Sequence, residues 1–221
     1  MPKAPRDLPV IAFKSMQAFD AWLTSQPQDC PGLWLKIAKK SSGIASISRD
    51  EAVDAALCHG WIDGQLDKFD DAYWLIRFTP RQSTSKWSEK NRARVLELVA
   101  LGRVRAAGLS QIERAKKDGR WDAAYAGQST AEVPDDLRLA LSKSKKAASF
   151  FETLDSKNRF SILYRIHDAK KPETRAARIE KFVAMLAAGD TLYPLAAKAP
   201  KRARTAAKNK SAAKKRARKK G

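Results

Sequence analysis

The chain has 221 residues, 43% of them hydrophobic and six of them tryptophan, enough to bury a core in one large domain or two small ones. Its formal net charge is +20, from 44 Lys and Arg against 24 Asp and Glu. Cys30 and Cys58 are too few for a disulfide scaffold and lack metal-site spacing, and no stretch approaches the roughly 20 apolar residues of a membrane span. Residues 10–13 form the longest early apolar run, too short for a leader. These features predict a cytoplasmic protein with free thiols, no metal and no cofactor.

The charge is unevenly placed. Twelve basic residues and no acidic one fall within 198–221, leaving 32 basic against 24 acidic residues, a net of +8, over 1–197. The body is only mildly basic.

Val10, Ile11, Ala12 and Phe13 predict a short strand. Ser15 can cap a helix in which Met16, Phe19, Trp22 and Leu23 recur at helical spacing before Pro27. Leu33, Leu35 and Ile37 alternate on one face of a second strand. Ser48 and Glu51 make a capping box for a helix through Val53, Ala56 and Leu57 that Gly60 can terminate. Trp61, Ile62 and Asp63 read as a third strand, and Asp70 and Asp71 as a turn. Residues 73–78 are apolar on both faces, as in a covered central strand.

A helix is expected from about Trp87 to Leu101 with Val95, Leu98 and Val99 inward, then another carrying Leu109, Ile112 and Ala115. Trp121 and Tyr125 should pack this pair onto the sheet. Polar residues 127–130 mark the expected boundary, between residues 1–127 and 128–193. Helices follow at about 135–142, 146–168 (with a break point near Asp155 and Ser156) and 172–188, the last buried through Ala176, Ile179, Val183 and Leu186. The fold class is therefore α+β: a small mixed sheet with packed helices, then a small helical bundle. Residues 194–221, almost all Lys, Arg, Ala and small polar types, can form no core and are expected to be a disordered basic tail.

The densest polar and aromatic stretches are ALCHGWIDG at 56–64 and FTPRQSTSKWSEKN at 78–91. They resemble the YdeI/OmpD-associated family of bacterial proteins, and AKKPETRAARIEKFVAML at 169–186 is similar to the helical domain of that family. The resemblance covers about residues 8–190. It implies a bacterial protein linked to bacteriocin protection and tolerance of cationic antimicrobial peptides, and it brings no cofactor. The Lys/Ala-rich tail lies outside it and resembles the tails of bacterial histone-like proteins.

Adjacent helical residues point about 100° apart, so Cys58 and His59 make a poor nucleophile–base pair. Cys58 reads as a buried structural thiol and His59 as a partner of the helix C-terminus. His167 stands far along the chain. Asp63 and Arg81 follow neighbouring strands, and two readings stay open. They form a salt bridge pinning the hairpin to the helix near Trp87, or Asp63, Arg81, Ser85, Trp87 and Asn91 line one ligand pocket. A small enzyme using an Asp63–Arg81 cleft is the corresponding alternative, although no phosphate loop, HExxH or GxSxG motif is present. Arg175, Arg178 and Lys181 recur at helical spacing as a basic ridge, either a solvated face or a docking face for an acidic protein partner.

Lys198, Lys201, Arg202, Arg204, Lys208, Lys210, Lys214, Lys215, Arg216, Arg218, Lys219 and Lys220 should bind nucleic acid by counterion release. No aromatic among them can stack on a base, so no sequence readout is expected. An anionic membrane face and a plain solubility role compete with that reading. The function read from the sequence is a non-enzymatic stress-protection protein, the alternative a nucleoid-associated accessory protein.

Overall fold

The computed structural model describes residues 8–27 and 29–195. The expectation of a disordered tail and its twelve cations lies outside those residues. The chain divides into two compact units, Met1–Glu132 and Val133–Gly221.

The first unit opens with β1 (Val10–Ala12), α1 (Met16–Thr24) and β2 (Leu33–Ala38). Ser15 caps α1 by accepting the Ala18 amide. Helix α2 (Arg49–Cys58) begins with the complete capping box of Ser48 and Glu51 and ends before Gly60 at φ 74°. Strands β3 (Trp61–Lys68) and β4 (Tyr73–Pro80) form a hairpin whose turn is held by the Asp70 carboxylate, which accepts the Ala72 and Tyr73 amides.

The sheet order is β1-β2-β4-β3. β1 runs parallel to β2, and the other neighbours are antiparallel, so the sheet is mixed. β4 is an interior strand, which explains why it is apolar on both faces. Its Ile76 and Phe78 join Leu33, Leu35 and Ile37 beneath α1 and α2, while Leu75 packs with Trp34 and Leu8. β3 is longer than Trp61, Ile62 and Asp63 suggested. It runs through an irregularity between Asp63 and Leu66 and on as a polar edge, where ladder hydrogen bonds replace the apolar pattern.

Helices α3 (Glu89–Ala100) and α4 (Ala106–Lys117) follow. Val95, Leu98, Ile112 and Ala115 share a second core with Trp87 and Trp121, and the two indoles meet edge to face at 5.1 Å. Leu109 and Val99, expected inside, are exposed. Gly108 takes the inward position instead, because the start of α4 lies directly against the end of α2. A Cβ on Gly108 would stand 2.5 Å from the Cys58 carbonyl oxygen and 3.0 Å from that of Leu57.

The second unit holds α5 (Asp135–Ser142), α6 (Lys145–Thr153), α7 (Ser156–His167) and α8 (Pro172–Ala187). The break near Asp155 is real: its side chain caps α7 by accepting the Asn158 amide. Buried Asn158 also exchanges hydrogen bonds with the Tyr193 backbone, 3.1 and 3.0 Å, tying the chain after α8 to the start of α7. The buried stripe of α8 is Ile179, Phe182 and Leu186; Ala176 is exposed. Ile179 and Leu186 are buried as the sequence suggested, while Phe182 takes the place assigned to Val183, which is only half-buried. Among the described residues, no helix is long and apolar enough to cross a membrane, and no cluster of metal-ligating side chains occurs.

The Gly108 contact yields the first prediction. Gly108→Ala forces a methyl group onto two backbone carbonyls that cannot rotate aside, and should destabilise the first unit by about 1–3 kcal/mol. Urea unfolding followed by tryptophan fluorescence measures this. An unchanged midpoint would show that α4 does not sit this tightly on α2.

Candidate functional site

Arg81 lies where β4 leaves the sheet. Its amide donates to the Gly60 carbonyl at 3.0 Å, fastening the end of β4 to the corner between α2 and β3. Its side chain is 3% exposed, with the guanidinium carbon 3.6 Å from the centre of the Trp87 ring. One nitrogen, Nη1, donates to the Lys86 carbonyl at 3.1 Å. Nε and Nη2 are buried and have no hydrogen-bond partner among the described residues.

Burial pushes this guanidinium down from its usual value to about 10, opposed by the nearby charge of Asp63. The displacement corresponds to a penalty of roughly 3 kcal/mol on the charged form. A base with a lowered folded value carries that penalty below about pH 10 and loses it as the pH rises through it. At pH 7 Arg81 is therefore a buried, charged and incompletely bonded cation.

Asp63 does not bond Arg81. Its carboxylate takes the Arg49 guanidinium at 3.1 Å and lines a separate cleft of about 440 Å³ with Asn91, Asp54 and Arg94. Arg94 grips Asp54 through two nitrogens and also bonds Glu97, and these partners hold its guanidinium above the usual value. Both arginines of that cleft are thus paired with carboxylates, across α2, α3 and β3.

Ser85 closes the turn after β4, its hydroxyl accepting the Gln82 amide at 2.9 Å. The Asn91 amide donates to the Ser88 hydroxyl, the cap of α3. Trp87 is 1% exposed. The five residues read as one pocket thus fall into three places: Asp63 and Asn91 in the paired-charge cleft, Arg81 on Trp87 in the core, and Ser85 in a turn.

Arg81 also lines a larger cleft of about 800 Å³, with His59, Gly60, Trp61, Arg105, Gln111 and Arg114 among its walls. Sequence reasoning missed Arg105, Gln111 and Arg114. Their only signal was the start of α4, where Arg105 stands at the cap position without supplying a side-chain cap. His59 is held at 2.8 Å by Asp20 of α1, which also faces Arg105 at 3.6 Å. Cys58 is buried, and desolvation raises its thiol above the usual value, as befits an unreactive packing residue.

In the second unit, the basic ridge is largely occupied from within. Arg175 bonds the Asp136 carboxylate of α5 through Nε and Nη2 and the Ile166 carbonyl of α7 through Nη1, joining three helices. Arg178 donates to the Arg165 carbonyl. Lys181 is exposed.

Residues 130–189 match the family model described as bacteriocin-protection, YdeI or OmpD-associated. The similarity is to that domain alone, over 60 of the 221 residues. That domain coincides with helices α5 to α8. Residues 11–111 match a different model, a domain of unknown function (DUF8412). The family likeness therefore rests on the second unit, while the motif at 56–64 and 78–91 lies in the segment matched by the domain of unknown function. Neither the curated proteins nor the solved structures returned a match.

The Arg175 bonds hold the Asp136 carboxyl below its ordinary value of 3.8. A depressed carboxyl contributes stability above its unfolded value and loses it as the pH falls through the folded one. Arg175→Met should destabilise the second unit at pH 7 by about 1 kcal/mol, since the pair is partly exposed. It should also flatten the loss of stability below pH 4. Amide exchange of α5 and α8 across that range reads both effects, and an acid limb unchanged by the substitution would remove Asp136 from the account.

Proposed function

We propose that the protein is a non-enzymatic bacterial stress-protection protein of the YdeI/OmpD-associated type, conferring tolerance of bacteriocins or cationic antimicrobial peptides. We further propose that it acts in the cytoplasm and that its basic C-terminal stretch binds nucleic acid without sequence preference. The observation that carries the reading is the family match over residues 130–189.

The charge supports a particular mode of action. A chain of net charge +20 repels a cationic peptide and does not sequester it. It competes for the same polyanions. Twelve cations within residues 198–221, opposed by no carboxylate, provide the local density that displaces counterions from phosphates, whereas the remainder carries only +8 over 197 residues. The alternative, a nucleoid-associated accessory protein, rests on the same stretch and makes nucleic-acid binding the whole of the biology.

Binding of the full chain and of a 1–197 truncation to random duplexes tests the nucleic-acid reading. With on the order of 6–10 phosphate contacts, affinity of the full chain should fall about 10³–10⁵-fold between 50 and 200 mM salt. Truncation should remove most of the affinity and of that slope. A truncated chain that binds as tightly would transfer the activity to the folded units. Survival of cells challenged with a cationic antimicrobial peptide then separates the two functions, because protection that persists without residues 198–221 belongs to the folded units.

A further inference from the structure

Helix α8 carries more apolar surface than the core of the second unit takes up. Ile179, Phe182 and Leu186 are buried, whereas Ala176 and Ala184 are exposed and Val183 is half-buried. With Ala187, these last three form a second apolar stripe at helical spacing. Helix α5 stands alongside, its first turn joined to that of α8 by Asp136 and Arg175. Between the two helices, the second stripe and Ala140 line a groove of about 840 Å³.

The charges of the groove are distributed in a particular way. Arg175 and Asp136 bond each other. Lys143 of α5 and Glu180 of α8 stand on opposite walls, and neither side chain has a partner among the described residues. Neither finds one on its own helix, because no acid lies three or four residues from Lys143 and no base at those distances from Glu180. One unanswered cation and one unanswered anion make a surface that is neutral in sum and complementary to itself. Leu139 projects beside them, on the face of α5 that also holds Lys143, four residues on. At 62% exposure it is the most open large apolar side chain described in the second unit.

We propose that this groove is an interface between two copies of the chain. A twofold axis along the groove lays α5 of each copy over α8 of the other. Lys143 then meets the partner's Glu180, and symmetry forms the reverse pair as well, so both unanswered charges are answered twice. Leu139 enters the hole outlined on the other copy by Ala176, Ile179, Glu180 and Val183. Their i, i+3, i+4, i+7 spacing is the arrangement that receives a knob between packed helices. The alanines of the stripe let the helices approach closely. Other occupants account for less. The cationic residues 198–221 meet no net negative charge here. A ligand seated within the groove would leave Leu139 in water, whereas a second copy covers it.

Sedimentation velocity of the full chain, freed of nucleic acid, tests the assignment over a concentration series. About 300 mM salt screens the repulsion between two chains of net charge +20. A monomer–dimer equilibrium is expected, with a dissociation constant of about 1–100 μM, as suits a small interface. Lys143→Glu and Glu180→Lys should each weaken it about 10-fold, since each breaks both symmetric pairs and sets like charges together. The double variant, which exchanges the two charges, should restore the affinity, an outcome that damage to the fold would not produce. Ala184→Arg, which fills the groove from an exposed position, should abolish the dimer and leave a folded monomer. A chain that stays monomeric up to about 1 mM, or a dimer indifferent to the single variants or to Ala184→Arg, would overturn the proposal. So would a double variant that restores nothing, or a dimer lost on removal of residues 198–221.

Discussion

The first unit is organised around one buried cation. Arg81 leaves the sheet at the end of β4, takes the Gly60 carbonyl with its amide, the Lys86 carbonyl with its side chain and the face of Trp87 with its guanidinium plane. Trp87 in turn meets Trp121 and takes the Tyr125 amide on its own carbonyl at 3.0 Å. Through these links the sheet, the loop after it and the α3–α4 pair share one anchor. Stacking and one carbonyl bond orient the ion, but they do not neutralise it, and its lowered proton affinity expresses that imbalance.

The two clefts of this unit show how differently the same residue types behave when paired. Around Asp63, arginines and carboxylates from α2, α3 and β3 hold one another, and the result is mechanical: three elements clipped together at a partly exposed surface. Around Arg81, no acid bonds the cation, and Asp63 acts on it only through its nearby charge. Ion pairs in water-accessible positions contribute little and cost little, whereas a desolvated cation without a counter-charge is expensive. Cost, more than the number of charges, separates the two clefts.

The second unit repeats the scaffold use of arginine. Arg175 and Arg178 look like a charge ridge along α8, yet both bond into the neighbouring helix ends, where unsatisfied carbonyls and the Asp136 carboxylate await donors. Asn158 does the same for the chain after α8. A four-helix unit of this size has a small core, and side-chain bonds to helix ends fix the geometry that core packing leaves loose.

Much of the secondary structure was legible in sequence because its causes are local. Ser15, Ser48 and Asp155 announce helix starts through their own side chains, Gly60 announces an end, and alternation in residues 33–37 announces a strand. The full length of β3 was not legible, since its outer half is polar and is held by the ladder to β4. Nor was the inward face of α4, where a glycine replaces a leucine because backbone meets backbone. The mixed α+β class and the uneven charge follow from composition and periodicity alone. What only the tertiary structure decided is which charges meet. Asp63 and Arg81 flank neighbouring strands, and their proximity in the chain suggested a pair. The fold sends one to Arg49 and the other onto Trp87, because ion pairing depends on side-chain direction and competing partners that sequence spacing does not encode.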